Sequence, residues 1–477
     1  MKAVFIGHQS WLINYGSTNI LIDPVLDESF GSADDNSIEI FPPRTIDIKK
    51  IPKIDAIILS HEHSDHFHIP TLLHFKDVPI IVSPIMVGCV TDIITSFGLN
   101  YKIIPFCEVQ NIGELEVILY PAAIETMFWE SRVSQILLRA RADTSNSLFI
   151  AVDALISEQF KSDVVSSRLQ LPTAIMVSNN SQFTPKGVLG SLDNYKNETY
   201  NNKKEIPGLS LLKELLITYL KGVEEINNII ICGGGFTKKY DTYFGCFPIS
   251  EQNKLADIAN YFSIDKNILG PLPGQTINIQ NERMEYTQPV DWIRLNEIRL
   301  KEIYNEGIKF RNNPIKINIK PILNTEILYE ESDLYTELNK LAKVFMLSEI
   351  GGLAIDFISS QTFDVLPYGL AFKLRAFNNP VQLEYYVLNL NSACFELIQE
   401  NNVKEELIPF GVELFLNDLI GILKGEIQIW DLGGIAVKSW YLGEDKTNSP
   451  VGFLYSYFGE QAYPTLNYKS FLKRWKV

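Results

Sequence analysis

Short apolar and β-branched runs broken by turn residues fill the first part of the chain: Ala3 to Ile6, Ser10 to Asn14, Asn19 to Ile22, Ala56 to Leu59 and Val78 to Val82. Runs of this length between Gly, Asn, Asp and Pro predict strands. Ile69 to Phe75 separates two of them, and Met86 to Phe97 carries apolar residues at helical spacing, so strands and helices interleave. Further strands are expected at Glu116 to Tyr120, Val133 to Arg139, Ser147 to Val152, Ala174 to Val177 and Asn228 to Cys232. One layered α/β domain over residues 1–280 accounts for all of them.

Thr184 to Gly208 is polar and rich in Asn, and it precedes the amphipathic run Leu209 to Leu220. It reads as an exposed insertion, either a lid over a site or a surface loop. After Gln280 the pattern changes. Trp292, Leu295, Ile298 and Ile303 recur at helical spacing within Pro289 to Glu306, with Gly307 at the expected C-terminal end. A second helix is expected over Ser332 to Glu349, closed by Gly351-Gly352, and a third over Val412 to Leu423. With strands at Leu370 to Phe377 and Leu383 to Leu390, residues 281–477 form a separate, smaller α+β domain in this reading.

Composition narrows the function classes. The 477 residues are 46% hydrophobic and 21% charged, as in ordinary globular proteins. The formal charge of -15 opposes binding to a phosphate backbone, which makes nucleic acid an unfavoured partner. No apolar run approaches the roughly 20 residues needed to span a bilayer, and the strand-like N-terminus lacks the pattern of a signal peptide. A cytoplasmic protein is therefore expected. Five scattered cysteines without a C-x-x-C pair fit reduced, mostly buried thiols.

The candidate chemistry lies at His61-Glu62-His63-Ser64-Asp65-His66, directly after the apolar run that ends at Leu59. Zinc and iron accept imidazole and carboxylate ligands at about 2 Å, and one tight loop can supply several of them. His61 and His63, two apart, can face one ion while Asp65 and His66 face a second. The protein has six histidines, at positions 8, 61, 63, 66, 68 and 74, so no histidine follows His74.

These residues resemble the metallo-β-lactamase superfamily. The opening Gly7-His8-Gln9-Ser10, with Leu21-Ile22-Asp23-Pro24, is similar to a branch that includes ascorbate-6-phosphate lactonases and the metal-binding domain of CMP-N-acetylneuraminate hydroxylases. Ser147 to Asp153 resembles the strand ending in that family's bridging aspartate, and Leu272-Pro273-Gly274-Gln275 resembles a P-G-D element near the domain's end. The resemblance implies an αββα sandwich with a site at one edge of two facing sheets. It implies His61 and His63 on one metal, Asp65 and His66 on the other, Asp153 as the bridge, and Asp23 as a structural group nearby. His8 would adjoin the pocket without ligating, and His68 and His74 would be structural.

Two of the family's downstream histidines have no counterpart. Glu125, after the strand Glu116 to Tyr120, is the nearest replacement for the first, and a carboxylate there shifts preference towards iron, manganese or magnesium. Around the second, Tyr240, Asp241, Tyr243 and Cys246 offer no persuasive substitute, and Cys246 reads as a buried thiol filling space or as a soft ligand. Trp129 to Arg132 reads as a pocket lining or as a local ion pair.

Three functions stay open. The first is a hydrolase acting on a small-molecule ester, lactone, amide or phosphoester with one or two zinc or iron ions, in which Asp65 orients or deprotonates water. The second is a non-haem iron oxygenase drawing electrons from a separate donor. The third is a degenerate member that binds a ligand without catalysis.

Overall fold

The computed structural model describes residues 1–31, 38–86, 88–126, 131–179, 206, 208–234, 237–238, 250–262, 265–312, 319–361, 366–432, 436–443 and 448–461. The described residues fall into two compact units, one within Met1–Thr184 and Lys203–Pro314, the other within Ile315–Val477.

The first unit begins with β1 (Lys2–Gly7), β2 (Ser10–Tyr15) and β3 (Thr18–Ile22), an antiparallel meander. The chain continues through β4 (Ala56–Ile58), helix α1 (Ile69–Leu72), β5 (Ile80–Val82), helix α2 (Gly88–Ser96) and β6 (Tyr101–Ile103), each strand parallel to the last. Parallel strands covered on both faces read as unbroken apolar runs, and Ile20–Ile22, Ala56–Ile58 and Ile80–Val82 are of that kind. Four more strands, β7 (Gln110–Ile112), β8 (Leu115–Pro121), β9 (Ser134–Ala140) and β10 (Ser147–Ile150), form antiparallel neighbours in a second sheet. Helix α3 (Glu158–Val165) leads to β11 (Ala174–Ser178), α4 (Leu209–Glu214) precedes β12 (Asn228–Cys232), and α5 (Gln252–Phe262) precedes β13 (Asn267–Leu269). The chain then returns to the first sheet with the hairpin β14 (Thr276–Gln280) and β15 (Arg283–Thr287).

The sheets run β15-β14-β1-β2-β3-β4-β5-β6 and β7-β8-β9-β10-β11-β12-β13. Strand side chains alternate between faces, and one core gathers Ile13, Ile20, Ile22 and Ile58 of the first sheet with Val117, Ile136, Leu138, Leu148 and Met176 of the second. The second sheet's other face, with Leu137, Phe149, Ile175 and Ile229, packs on Phe160 of α3, Leu212 of α4 and Leu255 of α5. This is the expected αββα sandwich.

Helix α6 (Glu297–Asn312) completes the unit. The expected helix from Pro289 starts later, because Ile293–Leu295 pairs as a strand with Arg44–Ile46 and Asn296 caps α6 by accepting from Arg299 N at 3.1 Å. The helix also runs on through Gly307. The expected boundary at residue 280 falls inside the β14–β15 hairpin, so the first unit extends beyond it.

The second unit is built on the sheet β18-β17-β16-β19-β20, from β16 (Tyr368–Arg375), β17 (Leu383–Asn389), β18 (Cys394–Ile398), β19 (Phe410–Phe415) and β20 (Val437–Trp440). Its inner face, including Phe372, Tyr386 and Val412, packs on Leu338, Leu341 and Phe345 of helix α7 (Glu331–Met346). Gly351 and Gly352 do not end a helix. They lie in the first turns of α8 (Glu349–Ser360), whose cap Ser348 accepts from Gly351 N at 3.2 Å. The expected helix at Val412 divides into the end of β19 and α9 (Leu416–Lys424), since Phe410 to Phe415 pairs with β16 and β20. Cys232 is buried as expected, whereas Cys107 and Cys394 are exposed. Among the described residues no helix is long and apolar enough to cross a membrane.

Candidate metal centre

Strands β1, β3 and β4 of the first sheet and β10, β11 and β12 of the second end around one group of polar side chains. Ligands collect at the carboxyl ends of parallel strands because the loops leaving them converge there. His8 follows β1, Asp23 follows β3, the segment 61–66 follows β4, Asp153 follows β10 and Ser178 ends β11. Three of these loops hold residues in the left-handed region, at His8 (φ 54°), Asp23 (φ 43°) and Val152 (φ 56°). Such conformations are uncommon outside glycine and tend to cluster at functional sites.

Asp23 organises the first-sheet side. Its carboxylate accepts from Ser60 N at 2.7 Å, Ser60 Oγ at 2.5 Å and His66 Nδ1 at 2.7 Å. A carboxylate cannot donate, so His66 carries a proton on Nδ1 and turns Nε2 towards the site. That Nε2 lies 2.9 Å from Asp153 Oδ2 and 3.5 Å from Asp65 Oδ2. Burial alone would lower the pKa of His66, but Asp65, Asp23 and Asp153 outweigh it and hold the imidazole well above its ordinary value. Three carboxylates therefore converge on one imidazole. Burial pushes the imidazoles of His61 and His63 the other way, to below their ordinary value.

Among the described residues, two groups have ligand atoms within 4.8 Å of one another: His61, His66 and Asp153, and His8, Asp65 and His66. Donors that share an ion at 2.0–2.2 Å stand about 3 to 3.5 Å apart, which is the spacing seen around His66. The nitrogen and oxygen donor set suits zinc, iron(II) or manganese(II). The residues present therefore fit a divalent metal.

Of the residues expected from the sequence, His61, Asp65, His66 and Asp153 come together in these groups. His63 packs edge-on against His61, with ring centroids 4.4 Å apart, but belongs to neither group. Glu125 is solvent-exposed in the loop after β8 and lies in neither group, so the structure does not bring it to the site. Arg132 forms its ion pair with Glu62, inside the histidine cluster. Trp129, Tyr240, Asp241, Tyr243, Cys246 and nearly all of the 184–208 insertion lie outside the described residues. His68, expected to be structural, bonds Thr71 Oγ1 at 2.9 Å, and burial takes its pKa down to about 3.

Sequence reasoning missed the groups that hold Asp153. Gln9 Nε2 donates to Asp153 Oδ1 at 3.0 Å and to Ser178 Oγ, while Cys232 Sγ donates to Gln9 Oε1 at 3.1 Å. The thiol thereby fixes which end of the Gln9 amide faces Asp153. Only the motif around Gly7 to Ser10 gave a signal for Gln9.

Residues 18–116 match the family model of the beta-lactamase superfamily domain. An uncharacterized protein of Mycobacterium tuberculosis is 29% identical over 87 residues, which are 18% of this chain and 23% of that protein. A UPF0173 metal-dependent hydrolase of Halobacterium salinarum is 27% identical over 93 residues, 19% of this chain and 32% of that one. The chain thus matches about a quarter to a third of the length of these relatives. Among solved structures, the isothiocyanate hydrolase from Delia radicum gut bacteria aligns with 59% of this chain and 100% of its own, at 16% identity and a TM-score of 0.39.

Proposed function

Taking residues 18–116 as a domain of the beta-lactamase superfamily, we propose that this protein is a metal-dependent hydrolase of a small-molecule ester, lactone, amide or phosphoester. The observation that carries the reading is the convergence of His61, His66 and Asp153, and of His8, Asp65 and His66, from the ends of separate strands in both sheets. The Halobacterium relative, a metal-dependent hydrolase, agrees with it.

His61, His63, Asp65, His66 and Asp153 are the residues that would hold the metal. When bound, a divalent ion lowers the pKa of coordinated water towards neutrality and polarises the oxygen of the group under attack. Asp65 and Asp153 keep 14% and 12% of their side-chain surface open to solvent, whereas His66 has none. Asp65 thus combines access to water with two imidazole neighbours, which suits it to orient a water molecule or accept its proton. Asp23 sets the ring of His66, and Gln9 sets the carboxylate of Asp153.

Elemental analysis of protein purified without added ions tests the reading, together with hydrolysis of a panel of lactones, esters and phosphodiesters before and after chelation. The expected result is at least one divalent ion per chain, hydrolysis lost on chelation and regained on adding the ion back, and metal affinity lowered at least tenfold in Asp153→Asn. Iron without hydrolysis would favour the oxygenase instead. A folded protein that takes up no metal overturns the proposal.

A further inference from the structure

The downstream chain contains no histidine after His74, yet a fourth imidazole reaches the site from the opposite end of the sequence. We propose that His8 is itself a metal ligand, holding a divalent ion together with Asp65 and His66. The inference rests on the metal-dependent reading above and assigns its second ion.

Geometry carries the assignment. His8 is 1% exposed, and its Nε2 lies 2.8 Å from Asp65 Oδ2. The ligand atoms of His8, Asp65 and His66 all lie within 4.8 Å of one another. Backbone and packing fix the ring from several directions. His8 O accepts from Gly233 N at 2.9 Å, which ties the β1–β2 turn to the end of β12. Phe30 packs against the ring with centroids 5.6 Å apart, and His66 lies edge-on to it at 6.3 Å. Gly7, at φ 140°, leaves room for the Arg44 side chain, whose Nε would stand 2.6 Å from an added Cβ. The turn therefore holds His8 in its left-handed conformation with the imidazole directed at Asp65. Residues in sparsely populated backbone conformations persist where the surrounding structure over-determines them.

Ligand counting agrees. His66 has one nitrogen facing the site, because Asp23 holds the other. His61 and Asp153, with His63 alongside, leave Asp65 and His66 to the second position, where His8 supplies a third protein donor. Three protein donors plus water is a common complement for a catalytic divalent ion. An imidazole in that position adds no charge, unlike a carboxylate, so it favours zinc or iron(II) over magnesium.

The alternative is that His8 only orients Asp65 by a hydrogen bond. Metal-stripped protein is titrated with zinc by equilibrium dialysis and with cobalt(II) by visible absorption, for wild type, His8→Gln, His8→Ala and His61→Ala, with folding checked by circular dichroism. Wild type should take up two ions per chain. His8→Gln, which can still donate to Asp65, should take up one, and His8→Ala should regain the second when free imidazole is added. His61→Ala should weaken the other ion instead. Two ions bound by His8→Gln with affinity unchanged within threefold would overturn the proposal, as would a single wild-type ion insensitive to His8. A wild-type chain that binds no ion would overturn the metal-dependent reading as a whole.

Discussion

Asp23 shows how one buried carboxylate serves both folding and the site. It accepts from Ser60 twice and from His66 once, and its own N–H is bonded to Ile58 O at 3.0 Å. In Asp23→Asn the amide can still accept from Ser60, but it cannot offer His66 Nδ1 the same charged acceptor. Partners that orient a ligating imidazole typically account for 10- to 100-fold in metal affinity. Asp23→Asn should therefore lose metal by about that factor in competition with a chromogenic chelator, while its far-ultraviolet circular dichroism stays that of wild type. At this scale the 61–66 cluster was legible by itself, whereas Asp23 and Asp153 were legible through the family resemblance of the segments that carry them. Ser178 and Cys232 carried no signal, because their contacts with Gln9 arise only once β1, β11 and β12 are brought side by side. Glu125 was chosen by position along the chain, and position could not reveal that its loop is turned to solvent.

The elements were legible where apolar period and length agreed. The strands expected for the sandwich lie within two residues of their observed limits, whereas β6, β7, β13, β14 and β15 were not expected. Ambiguity arose where one element follows another without a polar break. Trp292 and Leu295 share helical spacing with Ile298 and Ile303, yet Ile293–Leu295 is a strand that lies before the Asn296 cap. Glycine misled in a different way. A Cβ on Gly351 would stand 2.0 Å from Phe345 O, whereas one on Gly352 would meet nothing within 4 Å. Gly351 is present because α8 turns back against the end of α7, and Gly352 has no such constraint. Gly351→Ala should destabilise the second unit by about 1–3 kcal/mol through overpacking. Gly352→Ala should stabilise it by about 0.5–1 kcal/mol through helix propensity. Thermal unfolding followed by calorimetry would show the two shifts in opposite directions, and equal shifts would contradict the packing argument.

At the scale of the molecule, the sequence divided the chain into an α/β sandwich and a smaller α+β part, but it set their boundary at an apparent change of texture, inside a hairpin that closes the first sheet. That error has a physical origin, since β14 pairs with β1 across nearly the whole length of the first unit, and β15 pairs in turn with β14. The same long-range pairing has a kinetic consequence. His8 and His61 leave the first sheet, whereas Asp153 leaves the second, and Gln9 meets Asp153 across 144 positions of sequence. Contacts so far apart in the chain form late, after most loop-closure entropy has been spent. The donor set is thus assembled near the end of folding, and an ion bound there stabilises a structure that the folding transition state has not reached. Interactions absent from a transition state slow unfolding and leave the folding rate nearly unchanged. In stopped-flow refolding and unfolding of the first unit's signal, added zinc should therefore move the unfolding limb alone: the ion governs how long the sandwich stays together and has little bearing on how fast it forms.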